Sequence, residues 1–300
     1  MRILISGASG LMGEAIGGAL RAQGHTVVRL VRPGGSRSAG DVAWNPLTAN
    51  IDVAAMEGVE AVVHLSGASV AEGRWTEERK AVLRSSRIDT TRVLVDALAS
   101  LPRKPRVLVC ASAIGYYGDR GDEILSESSS NGTDFLALLV RDWEAEAVRA
   151  ETSGIRVARL RFGVIFSGEG GALPRMLLPF RFGLGGRLGS GEQWMSWIAL
   201  EDAVGIACAA IANEQFAGAL NVAAPNPLRN REFARIAAAV LHRPGLFAAP
   251  AFALRLALGE MADALLASQR VVPKRLAEWG YQFRLPEFEP ALRAILQHKK

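Results

Sequence analysis

The chain has 300 residues, 49% of them hydrophobic, a formal net charge of +5 and two cysteines. That length fills the core of one large domain or two closely joined ones, and no apolar run reaches the ~20 residues needed to cross a bilayer, which excludes a membrane-spanning protein. The arginines are dispersed instead of blocked, which argues against nucleic acid, and the distant cysteines Cys110 and Cys208 predict free thiols in a reducing, cytoplasmic setting.

Ile3–Ser6 reads as a buried strand, Gly7-Ala8-Ser9-Gly10-Leu11-Met12-Gly13 as a glycine turn, and Glu14–Gln23 as a helix closed by Gly24. Gly7 permits the tight turn, Gly10 lets backbone amides approach a pyrophosphate, and Gly13 lets the helix pack close to the strand. Ser9, Leu11 and Met12 complete the cradle, and the free N–H groups of the helix face the anion. The pattern predicts a dinucleotide site. Since Met1-Arg2 leads straight into this strand, no signal peptide is expected.

His25–Arg32 is the second strand. An NAD-binding unit places an acidic residue at its end, about 20 residues past the glycines, to hold the ribose 2′-hydroxyl. Arg32 stands there instead, with Arg37 after it and Ser9 in the turn. Guanidinium groups fork onto a phosphate that a carboxylate would repel, so NADP (NADPH) is the expected cofactor.

A polar link over Pro33–Gly40 is followed by a strand at Ala61–Leu65, a long helix from about Thr76 to Ala99 and a strand at Arg106–Ser112. Next come a helix at Asp134–Thr152 and a strand at Ile155–Phe162. This alternation predicts an α/β fold with a doubly wound parallel sheet over residues 1–166. Ligand groups are expected beyond the carboxyl ends of its strands, at Leu65-Ser66-Gly67-Ala68, at Ala111-Ser112 through Tyr117, and at Arg161. The glycine-rich span Ser167–Gly191, with Arg175, Arg181 and Arg187, predicts a loop-rich lid. It opens a smaller, mostly helical C-terminal substrate domain over 167–300. Asp202 is expected to cap a helix at Ala203–Asn213. His25, His64, His242 and His298 show no metal-ligand spacing with the cysteines, so no metal site is expected.

Taken together, Gly7-x-x-Gly10-x-x-Gly13, His64-Leu65-Ser66-Gly67-Ala68 and Tyr117-Gly118-Asp119 resemble the extended short-chain dehydrogenase/reductase superfamily. Tyr116-Tyr117-Gly118, Leu177-Leu178-Pro179-Phe180, Asn230-Arg231-Glu232-Phe233 and Gln269-Arg270-Val271-Val272-Pro273 resemble its atypical "epimerase family" branch. So do Gly183-Leu184-Gly185-Gly186, Trp197-Ile198 before Asp202, and Gly280-Tyr281-Gln282-Phe283. The resemblance covers essentially the whole chain and implies a Rossmann domain with a small helical C-terminal domain. It also implies Tyr-x-x-x-Lys plus a Ser or Thr as the catalytic set. With Tyr117-Gly118 as the register mark, those positions hold Leu138, Asp142 and Ala113. Between Lys104 and Lys274 there is no lysine, so no Tyr-x-x-x-Lys exists.

Substitutes for the missing set are Tyr116 and Tyr117 at the strand end, with Ser112 one residue from the hydroxyl position. A strand-end tyrosine can equally pack against the cofactor without chemistry. Arg161 reads either as an anion ligand or as a salt-bridged scaffold residue, and His64 as a satisfied strand histidine. Asp142 either stands in for the lysine or is a solvated carboxylate, and Trp194 and Trp197 either stack on a ligand or pack. Two functions fit. One is an NADP-dependent oxidoreductase or epimerase-like enzyme acting on a small carbonyl or sugar-like substrate, an anionic one suiting the arginine-rich surround. The other is a catalytically silent NADP(H)-binding regulator or scaffold. Arg32→Glu is predicted to weaken NADPH binding roughly ten- to hundredfold, with NADH affected far less. Titration with both cofactors checks this, and equal losses contradict the assignment of Arg32.

Overall fold

Ile3, Leu4 and Ile5 are fully buried because β1 (Arg2–Ser6) lies in the middle of a sheet covered on both faces. In the computed structural model, which describes residues 1–297, the glycine turn leads into α1 (Leu11–Ala22), and β2 (Thr26–Val31) returns parallel to β1. Strand β3 (Val42–Asn45) continues the sheet outward and folds back antiparallel through β4 (Asn50–Ile51). On the other side stand β5 (Ala61–His64) and β6 (Val107–Ala113). They are separated by α2 (Glu77–Ser85) and α3 (Ile88–Ser100).

The single long helix expected from Thr76 to Ala99 is therefore two. The chain breaks at Ser86-Arg87, where the Thr90 and Thr91 hydroxyls donate back to the Ser86 and Arg87 carbonyls. After β7 (Ile124–Leu125), α4 (Phe135–Val148) packs on the sheet and β8 (Arg156–Phe162) joins β6.

Beyond β9 (Val164–Phe166), the expected loop-rich lid contains α5 (Ala172–Arg181). Leu173, Leu177 and Phe180 recur at helical spacing and are buried, which overrides the flanking glycines and Pro179. β10 (Gly186–Leu188) and β11 (Trp194–Met195) follow, and β12 (Trp197–Ala199) pairs with β9. The chain then returns to the main sheet through α6 (Leu200–Ala212) and β13 (Gly218–Val222). Asp202 does not cap that helix; it sits in the first turn, buried, and accepts from the Arg284 and Leu285 amides.

The eight-stranded order is β13-β8-β6-β5-β1-β2-β3-β4. Ile3, Ile5, Ile16 and Ile206 fill one face, while Leu4, Val62, Leu98 and Trp143 fill the other, so the sheet is doubly wound. From β1 the chain moves outward first through β2 and later through β5, which puts the topological switch point beside the glycine turn. A third core, around Phe166, Trp197, Phe233 and Phe288, joins α5 to α7 (Asn230–Leu241) and the last helix, Phe288–Gln297. No helix among the described residues is long and apolar enough to cross a membrane.

Candidate cofactor cleft and buried arginine–glutamate network

The glycine turn has the shape that its residues demand. Gly7 adopts φ +66°, and a β-carbon there would stand 2.9 Å from the Leu65 carbonyl. A β-carbon on Gly13 would stand 2.2 Å from the Gly7 oxygen, so only glycine lets α1 start this close to β1. The N-cap of α1 is Gly10, which offers no side chain to the first-turn amides. Ser9 and Gly10 are exposed, and Leu11 and Met12 are half-buried.

At the end of β2 a cleft of about 530 Å³ is lined by Arg32, Gly34, Arg37, Asn45 and Asp52. Both arginines are exposed, and neither has a carboxylate within 4.0 Å among the described residues. Arg37 donates only to the Asp41 carbonyl, at 3.3 Å. Their neighbour Arg29 is already neutralised: its guanidinium meets the Asp41 carboxylate at 2.5 Å.

Leu65, Ser66 and Ala68 are half-buried and Gly67 is exposed, and the start of this segment lies against Gly7. It is anchored from below. The Ser6 hydroxyl accepts from the Leu65 amide at 3.1 Å and meets His64 Nδ1 at 2.6 Å. His64 Nε2 lies 3.0 Å from the Thr91 hydroxyl, which also accepts from Trp143 Nε1 at 2.9 Å. His64 is fully buried and has no carboxylate partner, and burial pushes its pKa down to about 4.

At the end of β6 the candidate catalytic groups separate. The Ser112 hydroxyl is buried and donates to Glu144 Oε1 at 2.6 Å. Arg161, also buried, grips the same carboxylate with Nε at 2.7 Å and Nη2 at 2.9 Å, and Arg159 adds a bond at 3.0 Å. Burial works against the Arg161 charge, but the hydrogen bonds and charge of Glu144 outweigh it and raise its pKa. Tyr117 is fully buried; its hydroxyl accepts from Arg161 Nη1 at 3.0 Å and donates to Asn221 Oδ1 at 2.6 Å. Burial pushes its pKa up to about 12. The side chains of Ser112, Tyr117 and Arg161 are thus turned inward and joined through Glu144, Arg161 in the salt-bridged form of its two expected readings. Ala111 is half-buried on β6 and packs between both faces of the core.

Tyr116 differs. Its ring is half-exposed and stacks on the Arg161 guanidinium, Cζ to centroid 3.5 Å, and its hydroxyl has no hydrogen-bond partner among the described residues. Asp142 pairs with Arg141 at 2.7 Å and Arg84 at 3.7 Å on the outer side of α4. Trp197 is core, and Trp194 lies between Arg229 and Arg270 with Nε1 on Asp122. No group of three or more His, Cys, Asp or Glu among the described residues is arranged to hold a metal; His298 lies outside them.

Sequence reasoning missed Glu144, Arg159 and Asn221 as network members. The available signal was an acid beside Trp143 on the inward face of α4, where Val140 and Ala147 are also buried.

The profile of the NAD dependent epimerase/dehydratase family matches residues 3–223, which contain the glycine turn, the cleft at the end of β2 and this network. The chain belongs to that family. A domain of unknown function, DUF1731, matches residues 249–295. Among epimerase-family relatives, protein Mb2239 of Mycobacterium bovis is 44% identical over 282 residues, covering 94% of this chain and 93% of its own. YfhF of Bacillus subtilis is 36% identical over 303 residues, covering 100% and 99%. The crystal structure of human epimerase family protein SDR39U1 (isoform2) with NADPH is 34% identical, with a TM-score of 0.91 over 99% of both chains. A Thermus thermophilus UDP-glucose 4-epimerase complex with NAD, at 18% identity and TM-score 0.76 over 99% and 98% of the two chains, shares the fold.

The histidine gives a signed pH prediction. Its folded pKa lies below the ordinary value of about 6.5, so the unfolded chain takes up the proton first as pH falls. Stability is full above about pH 6.5 and drops by about 2 kcal/mol between pH 7 and 5 through this group. Denaturant unfolding of the wild type and His64→Gln at both pH values checks this: the variant is expected to lose about 2 kcal/mol less. Equal losses contradict it.

Proposed function

We propose that this chain is an NADPH-dependent oxidoreductase or epimerase-type enzyme for a small carbonyl or sugar-like substrate, with Tyr116 handling the proton. The observation that carries the reading is the contrast between the two neighbouring tyrosines. Tyr117 is sealed and doubly hydrogen-bonded, whereas the Tyr116 hydroxyl, just past the carboxyl end of β6, is unpartnered among the described residues.

The residues fit the cofactor. The uncapped start of α1 suits a pyrophosphate, and Arg32 and Arg37, with no carboxylate within 4.0 Å among the described residues, suit a 2′-phosphate. NADPH in the human relative supports the same choice. Free Cys110 and Cys208 support a reducing, cytoplasmic setting.

Bound NADPH supplies the hydride. Tyr116 gives its proton to the substrate oxygen as that oxygen gains electrons, and recovers one from water. The Arg161 guanidinium, held on both oxygens of Glu144, lies beneath the Tyr116 ring. A fixed cation there favours negative charge developing on the substrate oxygen.

The missing lysine favours a second reading, a silent NADP(H)-binding regulator. Turnover separates the two. Tyr116→Phe is expected to lower kcat by about 10²–10⁴-fold with NADPH affinity unchanged, measured on carbonyl compounds that the wild type reduces. Undiminished turnover in the variant removes Tyr116 from the reaction. Tight NADPH binding without turnover on any carbonyl compound supports the regulator.

A further inference from the structure

The segment Leu65–Ala68 connects two features of the cleft. At its start it touches the glycine turn; at its far end the Arg87 guanidinium lies against Gly67, where a β-carbon would stand 3.2 Å from Arg87 Cζ. Arg87 sits at the break between α2 and α3, half-buried. Its Nη2 donates to the Ala68 carbonyl at 2.9 Å, and its Nη1 to the Leu83 carbonyl at 3.3 Å and the Ser86 hydroxyl at 3.4 Å. The Trp143 ring lies 5.4 Å from Cζ. Every one of these partners is neutral, and five donors on one fork leave N–H groups to spare.

Among the described residues, no carboxylate lies within 4.0 Å of Arg87, unlike Arg29 on Asp41 or Arg159 and Arg161 on Glu144. Burial and the charge of Arg79 push its pKa down to about 10, so it stays protonated at neutral pH. A half-buried cation without a counter-ion is costly, and it is arranged to receive an anion.

Strand order says which anion. Arg32 follows β2 on one side of β1, and Gly67 follows β5 on the other. With the adenine-side phosphate at Arg32, the flank at Gly67 receives the nicotinamide half. We propose that Arg87 is the fixed cation for the nicotinamide-side phosphate of the cofactor, in a chain whose catalytic helix has no lysine. This rests on the NADPH reading.

Calorimetric titration of the full chain with NADPH and with 2′,5′-ADP, which lacks the nicotinamide nucleotide, tests it. Arg87→Met is expected to bind NADPH roughly ten- to hundredfold more weakly, with 2′,5′-ADP affinity and Tm unchanged. Arg87→Lys should recover part of the loss. Wild-type NADPH affinity in Arg87→Met overturns the inference. So does an equal loss of both ligands with a lowered Tm, which assigns Arg87 to capping α2 through Leu83. A wild-type chain that binds no NADPH sinks the proposed function itself.

Discussion

Glu144 holds the cleft end of the sheet together. Its two oxygens take hydrogen bonds from Ser112 on β6, from Arg159 and Arg161 on β8, and so tie α4 to both strands. Through Arg161 and Tyr117 the chain of bonds reaches Asn221 on β13. Desolvating three charges is expensive, and it is tolerated because each lone pair has a donor and the geometry is bidentate. Taking one member out of such a set typically costs about 3–5 kcal/mol. The network therefore leaves its own side chains little freedom to serve a substrate.

Helix α4 contains no lysine, and its inward carboxylate, Glu144, is taken up by the network. What remains at the strand end is the Tyr116 phenol, stacked on the guanidinium of Arg161. The stack sets the ring on a buried guanidinium, and His64, held by Thr91 and Ser6, anchors the segment that follows β5.

The glycine turn was legible because it is local: seven residues set it. The doubly wound sheet was likewise readable from apolar strands alternating with helices. Four things were not. Adjacent Tyr116 and Tyr117 look alike in sequence, and only the tight turn over Ile114–Tyr117 sends one ring inward and the other outward. Glu144 and Asn221 meet their partners across 15 to 104 residues of chain, a separation that no local pattern encodes. Helix α5 was masked by its glycine-rich flanks, although Leu173, Leu177 and Phe180 already had helical spacing. The break at Arg87 depends on two threonines bonding back to the main chain, which reads as ordinary helix from propensity alone.

A crystal structure of the chain with NADPH bound tests the central claim most directly. In that complex the Tyr116 hydroxyl is expected toward the open face of the nicotinamide, with Tyr117 still on Arg161 and Asn221 and the Glu144 bonds intact. Tyr117 released from that network and turned onto the cofactor, or Tyr116 directed away from it, would contradict the account.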